Sequence, residues 1–109
     1  MQRGDIVIVA APGDFGKPRP AVIIQGDALN RAEPDTSIVA LMTSDLRDAP
    51  LLRLAVEPTP ENGLNTATQI QTSRIVTLRS QRIGKTIGRL ADDQLVELNR
   101  LLALAIGLA

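Results

Sequence analysis

Apolar residues recur along this chain with two periods, and the change falls near residue 91. Before it, β-branched and aliphatic residues come in short runs broken by Gly, Pro, Asn and Asp, the pattern of strands joined by turns. The runs predict strands over 3–9, 21–24 and 36–41, the last ending at 42–44. A fourth covers 51–56, and Pro50 and Pro58 on either side of it place it near a sheet edge. The stretch 66–72 with 75–78 supplies one or two more strands, 79–83 a short helical turn, and 85–90 a final strand. Segments 12–16, 26–35 and 58–63 read as polar, turn-rich loops. Short strands at this spacing argue for a mostly β fold, a small closed or nearly closed barrel.

Beyond residue 91, Leu95, Leu98, Leu101, Leu102, Ala105 and Ile106 follow three- and four-residue spacing, which is helical. Asp92 and Asp93 stand where the positive end of the helix dipole favours acids, and Gly107 is placed to stop the helix. Ala91 is an unusual capping residue, so the start is held less well than by serine. The stripe has to bury itself against the barrel. A chain of 109 residues has room for one such domain, over 1–109, and no second module.

Composition removes several chemistries. Cysteine and histidine are absent, which excludes a disulfide scaffold, a zinc site built on those ligands, a thiol nucleophile and a His-based triad. No secretory signal or membrane-length apolar window is visible, so a cytoplasmic location is expected. Phe15 is the sole aromatic residue, too few for a base-stacking platform. Twelve basic and twelve acidic side chains cancel, which removes steering by net charge. Their distribution is uneven: residues 62–91 carry Arg74, Arg79, Arg82, Lys85 and Arg89 and no acid. That segment predicts a basic patch, against the simpler reading of a solvated face.

Candidate chemistry concentrates at Lys17-Pro18-Arg19-Pro20-Ala21-Val22-Ile23-Ile24. Proline fixes its own φ and narrows the residue before it, so Arg19 is a charge on a stiff frame where a strand begins. An isolated arginine is most often a surface ion-pair partner. The pattern here, with Thr43 and Ser44 ending the next strand, favours a phosphate-binding role. Asn62, Asn65, Gln69 and Gln71 are amides able to read base edges, although turn formation explains the asparagines almost as well. Phe15 either stacks on an exposed base or pins its own loop.

Taken together, these segments resemble the MazF/PemK family of toxin endoribonucleases. The resemblance rests on Arg3-Gly4-Asp5-Ile6-Val7, Pro18-Arg19-Pro20-Ala21-Val22-Ile23-Ile24, Met42-Thr43-Ser44, Gly63-Leu64, and the long stretch from Ser73-Arg74-Ile75-Val76-Thr77-Leu78 to Leu90. It implies an SH3-like barrel of the MazF/CcdB type with a C-terminal helix, paired as a homodimer. It implies sequence-specific cleavage of single-stranded RNA, often messenger RNA, without a metal or other cofactor, leaving a 2′,3′-cyclic phosphate and a 5′-hydroxyl. It implies a groove along the dimer interface that a cognate antitoxin's disordered tail can occupy in place of RNA.

Carried onto this sequence, the family's arginine falls on Arg19 and its threonine or serine on Thr43, with Ser44 beside it. A guanidinium forks onto two phosphate oxygens and keeps its proton at neutral pH, so Arg19 suits charge stabilisation and not the role of base. Lys17, Asn62, Gln69, Gln71, Arg74, Arg79 and Arg82 are the expected RNA contacts, with Lys85 and Arg89 weaker ones. The general base stays open. Some relatives carry a glutamate in the first loop, where this chain offers only Asp14, which between Gly13 and Gly16 is first of all a turn former. The competing reading is a non-catalytic barrel toxin or interaction module acting on a protein such as DNA gyrase, and Arg19→Ala separates the two.

Overall fold

A computed structural model describes all residues from Met1 to Ala109. Six strands form one antiparallel sheet: β1 (Asp5–Val9), β2 (Arg19–Ile23), β3 (Thr36–Thr43), β4 (Arg53–Val56), β5 (Thr68–Arg79) and β6 (Ile83–Arg89), in the order β4-β5-β3-β2-β1-β6. A 3₁₀ turn, Ser80–Arg82, joins β5 to β6, and the chain ends in helix α2 (Asp92–Ala105). The mostly β barrel with a C-terminal helix is therefore present, and every predicted strand exists. The stretches expected over 66–72 and 75–78 form one long strand, β5, which begins at Thr68.

The central strands bury both faces, which explains their near-continuous aliphatic runs. On one face Ile6, Val22, Ala40, Met42 and Ile70 pack with Leu98 of α2. On the other, Val7, Val9, Ala21, Ile23, Val39 and Leu41 pack with Leu78 from the far end of β5. β5 reaches both faces because it is interrupted: Ile70 pairs with Met42 and Ile75 with Ala40, so four residues of β5 stand opposite the single Leu41. Such a bulge bends and twists a strand. The bend lets one strand line two sides of the barrel, and it throws Gln71 and Arg74 out of register.

The sheet edges β4 and β6 are not paired with one another. The segment after β4 covers the seam, with Arg89 N–H donating to the Glu61 carbonyl at 2.9 Å. Two glycines permit the approach. A Cβ on Gly88 would overlap the Asn62 carbonyl, and one on Gly63, at φ +70°, would overlap the Ile87 carbonyl. The resulting cover blunts an edge that would otherwise present free backbone groups.

Residues 26–35 are more than a loop, since they contain helix α1 (Asp27–Ala32). None of its residues is buried, so it has no apolar stripe from which periodicity could reveal it. Polar side chains hold it instead: Asp27 Oδ1 accepts the Arg3 N–H at 2.8 Å, and Asn30 Nδ2 donates to the Gln25 carbonyl at 3.0 Å. At α2, Ala91 is the N-cap, and in place of a cap side chain Gln94 Oε1 accepts the Ala91 N–H at 3.0 Å. Gly107, at φ +81°, ends the helix in a Schellman motif, with Leu108 N–H bonded to the Ala103 carbonyl and Gly107 N–H to that of Leu104.

Candidate active site

Register along the sheet brings the site together. Val9 pairs with Arg19, Ala21 with Leu41, and Thr43 with Gln69, so the end of β1, the start of β2 and the end of β3 meet at one end of the sheet. There a cleft of about 440 Å³ opens, lined by Asp14, Phe15, Lys17, Arg19, Thr43 and Ser44 over a floor that includes Met42. Arg19 is its centre. Its Nε lies 2.6 Å from Asp14 Oδ2, and its Nη2 donates to Asp14 Oδ1 at 3.0 Å. Nη1 donates to Gln71 Oε1 at 3.4 Å. The two contacts with Asp14 differ in kind, since Oδ2 takes no properly directed hydrogen bond and is held by charge alone.

Thr43 is fixed and still reactive as a donor. Its Oγ1 accepts the Asp45 N–H at 3.0 Å, which leaves its own hydrogen directed by nothing else in the chain. Ser44 beside it is exposed, as is Lys17 across the cleft. The loop from β1 to β2 folds back through Asp14 N–H to the Ala11 carbonyl (3.3 Å) and Lys17 N–H to the Asp14 carbonyl (3.0 Å). Phe15 at its tip has a left-handed backbone, φ +54°, and is 98% exposed. It pins nothing, so of the two expectations for Phe15 the loop anchor is removed.

The cleft continues past Pro20 and Ser44 into a second depression of about 200 Å³, walled by Ile8, Leu64, Asn65, Thr66 and Ile87. Charge and hydroxyls at one end and aliphatic side chains at the other suit an extended ligand with a charged backbone and flat apolar parts.

Comparison with known proteins agrees with this geometry. Residues 2–106 match the sequence profile of the PemK-like, MazF-like toxins of type II toxin–antitoxin systems. The chain belongs to that family. It is 41% identical over 110 residues to the "Probable endoribonuclease MazF" of Mycolicibacterium smegmatis, covering all of this chain and 99% of that protein. Its fold matches a mycobacterial endoribonuclease solved with its cognate antitoxin, at a TM-score of 0.83 and 23% identity, over 100% of this chain and 97% of that one. It also matches the Mycobacterium tuberculosis toxin MazF-mt6, at 0.81 and 24% identity, over 96% and 98%.

In this MazF-like toxin the structure sorts the expected site residues into three groups. Arg19, Thr43, Ser44 and Lys17 share the cleft, and Gln71 touches it through Arg19. Two amides are committed elsewhere, which corrects their reading as base readers. Asn62 is 1% exposed; its Oδ1 accepts from Thr59 N–H and Leu64 N–H, and its Nδ2 donates to the Glu57 carbonyl. Gln69 clamps Arg47 through both its N–H and its carbonyl, and accepts from Arg53 Nη1 at 2.9 Å. Gln71, 8% exposed, serves Arg19 instead of presenting a free edge. The third group is the basic segment, none of whose side chains lines the cleft. Arg79 pairs with Thr36, at the opposite end of β3 from Thr43 and roughly 23 Å away along the strand. Arg82 lies against the end of β1 through its carbonyl, Arg74 is exposed on the β5 bulge, and Arg89 pairs with Asp5 at 3.1 Å. Asn65, exposed in the second depression, is the amide left free to face a ligand.

Proposed function

We propose that this toxin is a sequence-specific, metal-independent endoribonuclease that cuts single-stranded RNA in the Arg19–Thr43 cleft and is neutralised by a cognate antitoxin. The observation that carries the reading is the meeting of a permanently charged fork, Arg19, with an uncommitted hydroxyl, Thr43, in one solvent-open cleft. Family membership and the 41% identical relative, whose name gives the same activity, support it.

The reaction follows from these groups. A ribose 2′-oxygen attacks the adjacent phosphorus, the bond to the 5′-oxygen breaks, and the proton lost by the 2′-hydroxyl is matched by one gained at the departing oxygen. The products are a 2′,3′-cyclic phosphate and a 5′-hydroxyl, with no water consumed. Charge builds on the non-bridging oxygens in the transition state, where a guanidinium binds bidentately. Thr43, aided by Ser44, donates a hydrogen bond that orients the phosphate. Lys17 attracts the strand, and Phe15 offers one ring to one base. Ile8, Leu64 and Ile87 present an apolar wall to the next, and Asn65 a base-edge reader.

The partner calls follow from the family. An antitoxin's extended tail would occupy the same cleft and depression, and two copies would pair to cover apolar side chains such as Leu46, Leu51 and Leu52 that one copy leaves exposed. No helix is long and apolar enough to cross a membrane, which is compatible with action on cytoplasmic RNA.

The test is incubation of purified protein with a long unstructured RNA in EDTA, with 5′-hydroxyl ends mapped by sequencing. Wild type is expected to cut at a short recurring sequence. Arg19→Ala should lose about 10²–10³-fold in rate with its fold intact, the scale of a lost oxyanion donor. Intact RNA with folded wild type, or equal cutting by the variant, removes the proposal.

A further inference from the structure

We infer that Asp14 is a built-in occupant of the phosphate site, so that RNA binds this toxin by exchanging a phosphate for the Asp14 carboxylate in the fork of Arg19. The inference rests on the reading of Arg19 as the phosphate ligand, and it assigns Asp14 a role in substrate affinity.

Three observations lead to it. First, the carboxylate lies along the Nε–Nη2 edge of the guanidinium, at 2.6 and 3.0 Å. That edge is the one a phosphate takes with two oxygens, and a carboxylate and a phosphate compete for it on equal geometric terms. With Asp14 in place the pair is neutral and the edge is covered. With Asp14 displaced, the same edge presents a full positive charge to the cleft.

Second, Arg19 has another holder. Gln71 is 8% exposed, sits on the β5 bulge and accepts from Nη1, on the side away from Asp14. The guanidinium therefore keeps a fixed partner when the carboxylate leaves, and only one side of the arrangement has to change. Gln71 is a positioning residue in this exchange, acting through Arg19.

Third, Arg19 is the one partner of the Asp14 carboxylate, whose side chain is 13% exposed. Its Oδ2 takes no directed hydrogen bond, so the carboxylate is half satisfied where it lies. The loop that carries it has glycines at φ +87° (Gly13) and +79° (Gly16), and a Cβ on either would meet no atom within 4 Å. Phe15 between them makes almost no contact. Moving Asp14 outward breaks its ion pair with Arg19 and two turn hydrogen bonds.

An alternative role for the same carboxylate, proton removal from the 2′-hydroxyl, predicts the opposite kinetics. The exchange gives Asp14→Asn a higher affinity for anions, because an amide neither neutralises Arg19 nor competes as strongly for its fork. A base gives Asp14→Asn a large loss of rate.

The experiment uses the full chain and two probes. Inorganic phosphate is titrated into wild type, Asp14→Asn, Asp14→Ser and Arg19→Ala while the backbone amide resonances of residues 13–19 are followed by NMR, with circular dichroism to confirm folding. Asp14→Asn and Asp14→Ser should bind phosphate about threefold to fivefold more tightly than wild type, the upper end for a partly exposed charged pair, and Arg19→Ala should not bind. With RNA carrying a mapped cut site, KM for Asp14→Asn should fall by about the same factor and kcat/KM rise with it. Equal phosphate affinity in wild type and both Asp14 variants overturns the exchange, as does a kcat loss of about 100-fold in Asp14→Asn with no gain in affinity. The phosphate titration reads the exchange even if wild type leaves every RNA intact, so failure of the ribonuclease reading and failure of this one are separable.

Discussion

Two Pro- and Gly-rich loops flank the sheet, and they are built in opposite ways. The loop after β4, residues 57–67, is locked. Asn62 is buried and makes three side-chain hydrogen bonds, Gly63 and Gly88 bring two backbones into contact, and the Arg89 backbone N–H bonds the Glu61 carbonyl across the open seam. The loop from β1 to β2, residues 10–18, has two turn hydrogen bonds, a ring in open solvent and an ion pair that its own arginine can make with other anions. Composition does not separate them. What differs is where the backbone groups find partners: against another strand in one loop, within the loop itself in the other. The first covers the open seam and the second lines the candidate cleft, on the fixed frame that a binding loop needs.

The contrast is open to direct attack. The largest effect is expected at Gly88→Ala, where the new Cβ meets the backbone of Glu61 and Asn62, which cannot yield. A loss of about 4 kcal/mol or more, or no folded protein, should appear in urea melts. Gly13→Ala, facing open space, should cost only the left-handed strain of about 1–2 kcal/mol. Similar losses at both positions would erase the distinction between the loops.

Asn62→Ala comes next. It leaves two backbone N–H groups and a carbonyl without their partner in a buried place, and should cost about 2–3 kcal/mol. RNA cleavage per folded molecule should be unchanged, measured as kcat/KM at a temperature below the shifted melt. A changed cut-site preference would restore Asn62 as a base reader.

Phe15→Ala should do the reverse. Its stability should stay within about 0.5 kcal/mol of wild type, as at other exposed positions, while RNA affinity falls by about 1–3 kcal/mol for one lost stack. Fluorescence anisotropy with a labelled, uncut oligonucleotide reads the second number.

The smallest effect is electrostatic and lies away from both loops. The hydrogen bond from the Arg3 backbone N–H, then that from Asn30, holds the Asp27 carboxyl below its ordinary value. Because the folded-state value is depressed, its stabilising effect is present above about pH 4 and is lost as pH falls through the folded-state value. Asp27→Asn should therefore lower the urea midpoint near neutrality, where the charged form contributes, and flatten the acid side of the profile so that variant and wild type converge at low pH. An unchanged acid slope would show that Arg3 and Asn30 do not favour the charged form.

How much of this was legible in the chain depends on the kind of interaction. The six strands and α2 announce themselves because burial on a face repeats with the period of the backbone, and the pairing of Arg19 with Thr43 follows from strand order plus the stiff Pro18-Arg19-Pro20 frame. Helix α1 was invisible because it buries nothing. That Arg79 lies outside the cleft was hidden for a related reason: a charge count along residues 62–91 does not know that β5 runs from Gln69 beside Thr43 to Arg79 beside Thr36. The base-reading roles given to Asn62 and Gln69 failed because an amide's donors and acceptors look identical in sequence whether they face solvent or a neighbouring carbonyl.

By itself, then, the sequence of this toxin determined the elements, the family and the presence of a cationic frame at the start of β2, since each depends on local propensity, periodicity or short motifs. Only the tertiary structure decided which polar side chains are free. Asp14 and Gln71 meet on Arg19 from opposite sides, one from a five-residue turn and the other from a bulge 52 residues away. A side chain's hydrogen-bonding capacity is spent on whatever the fold brings within about 3 Å, and that is set by register and by the bend of β5, neither of which is written in any one segment.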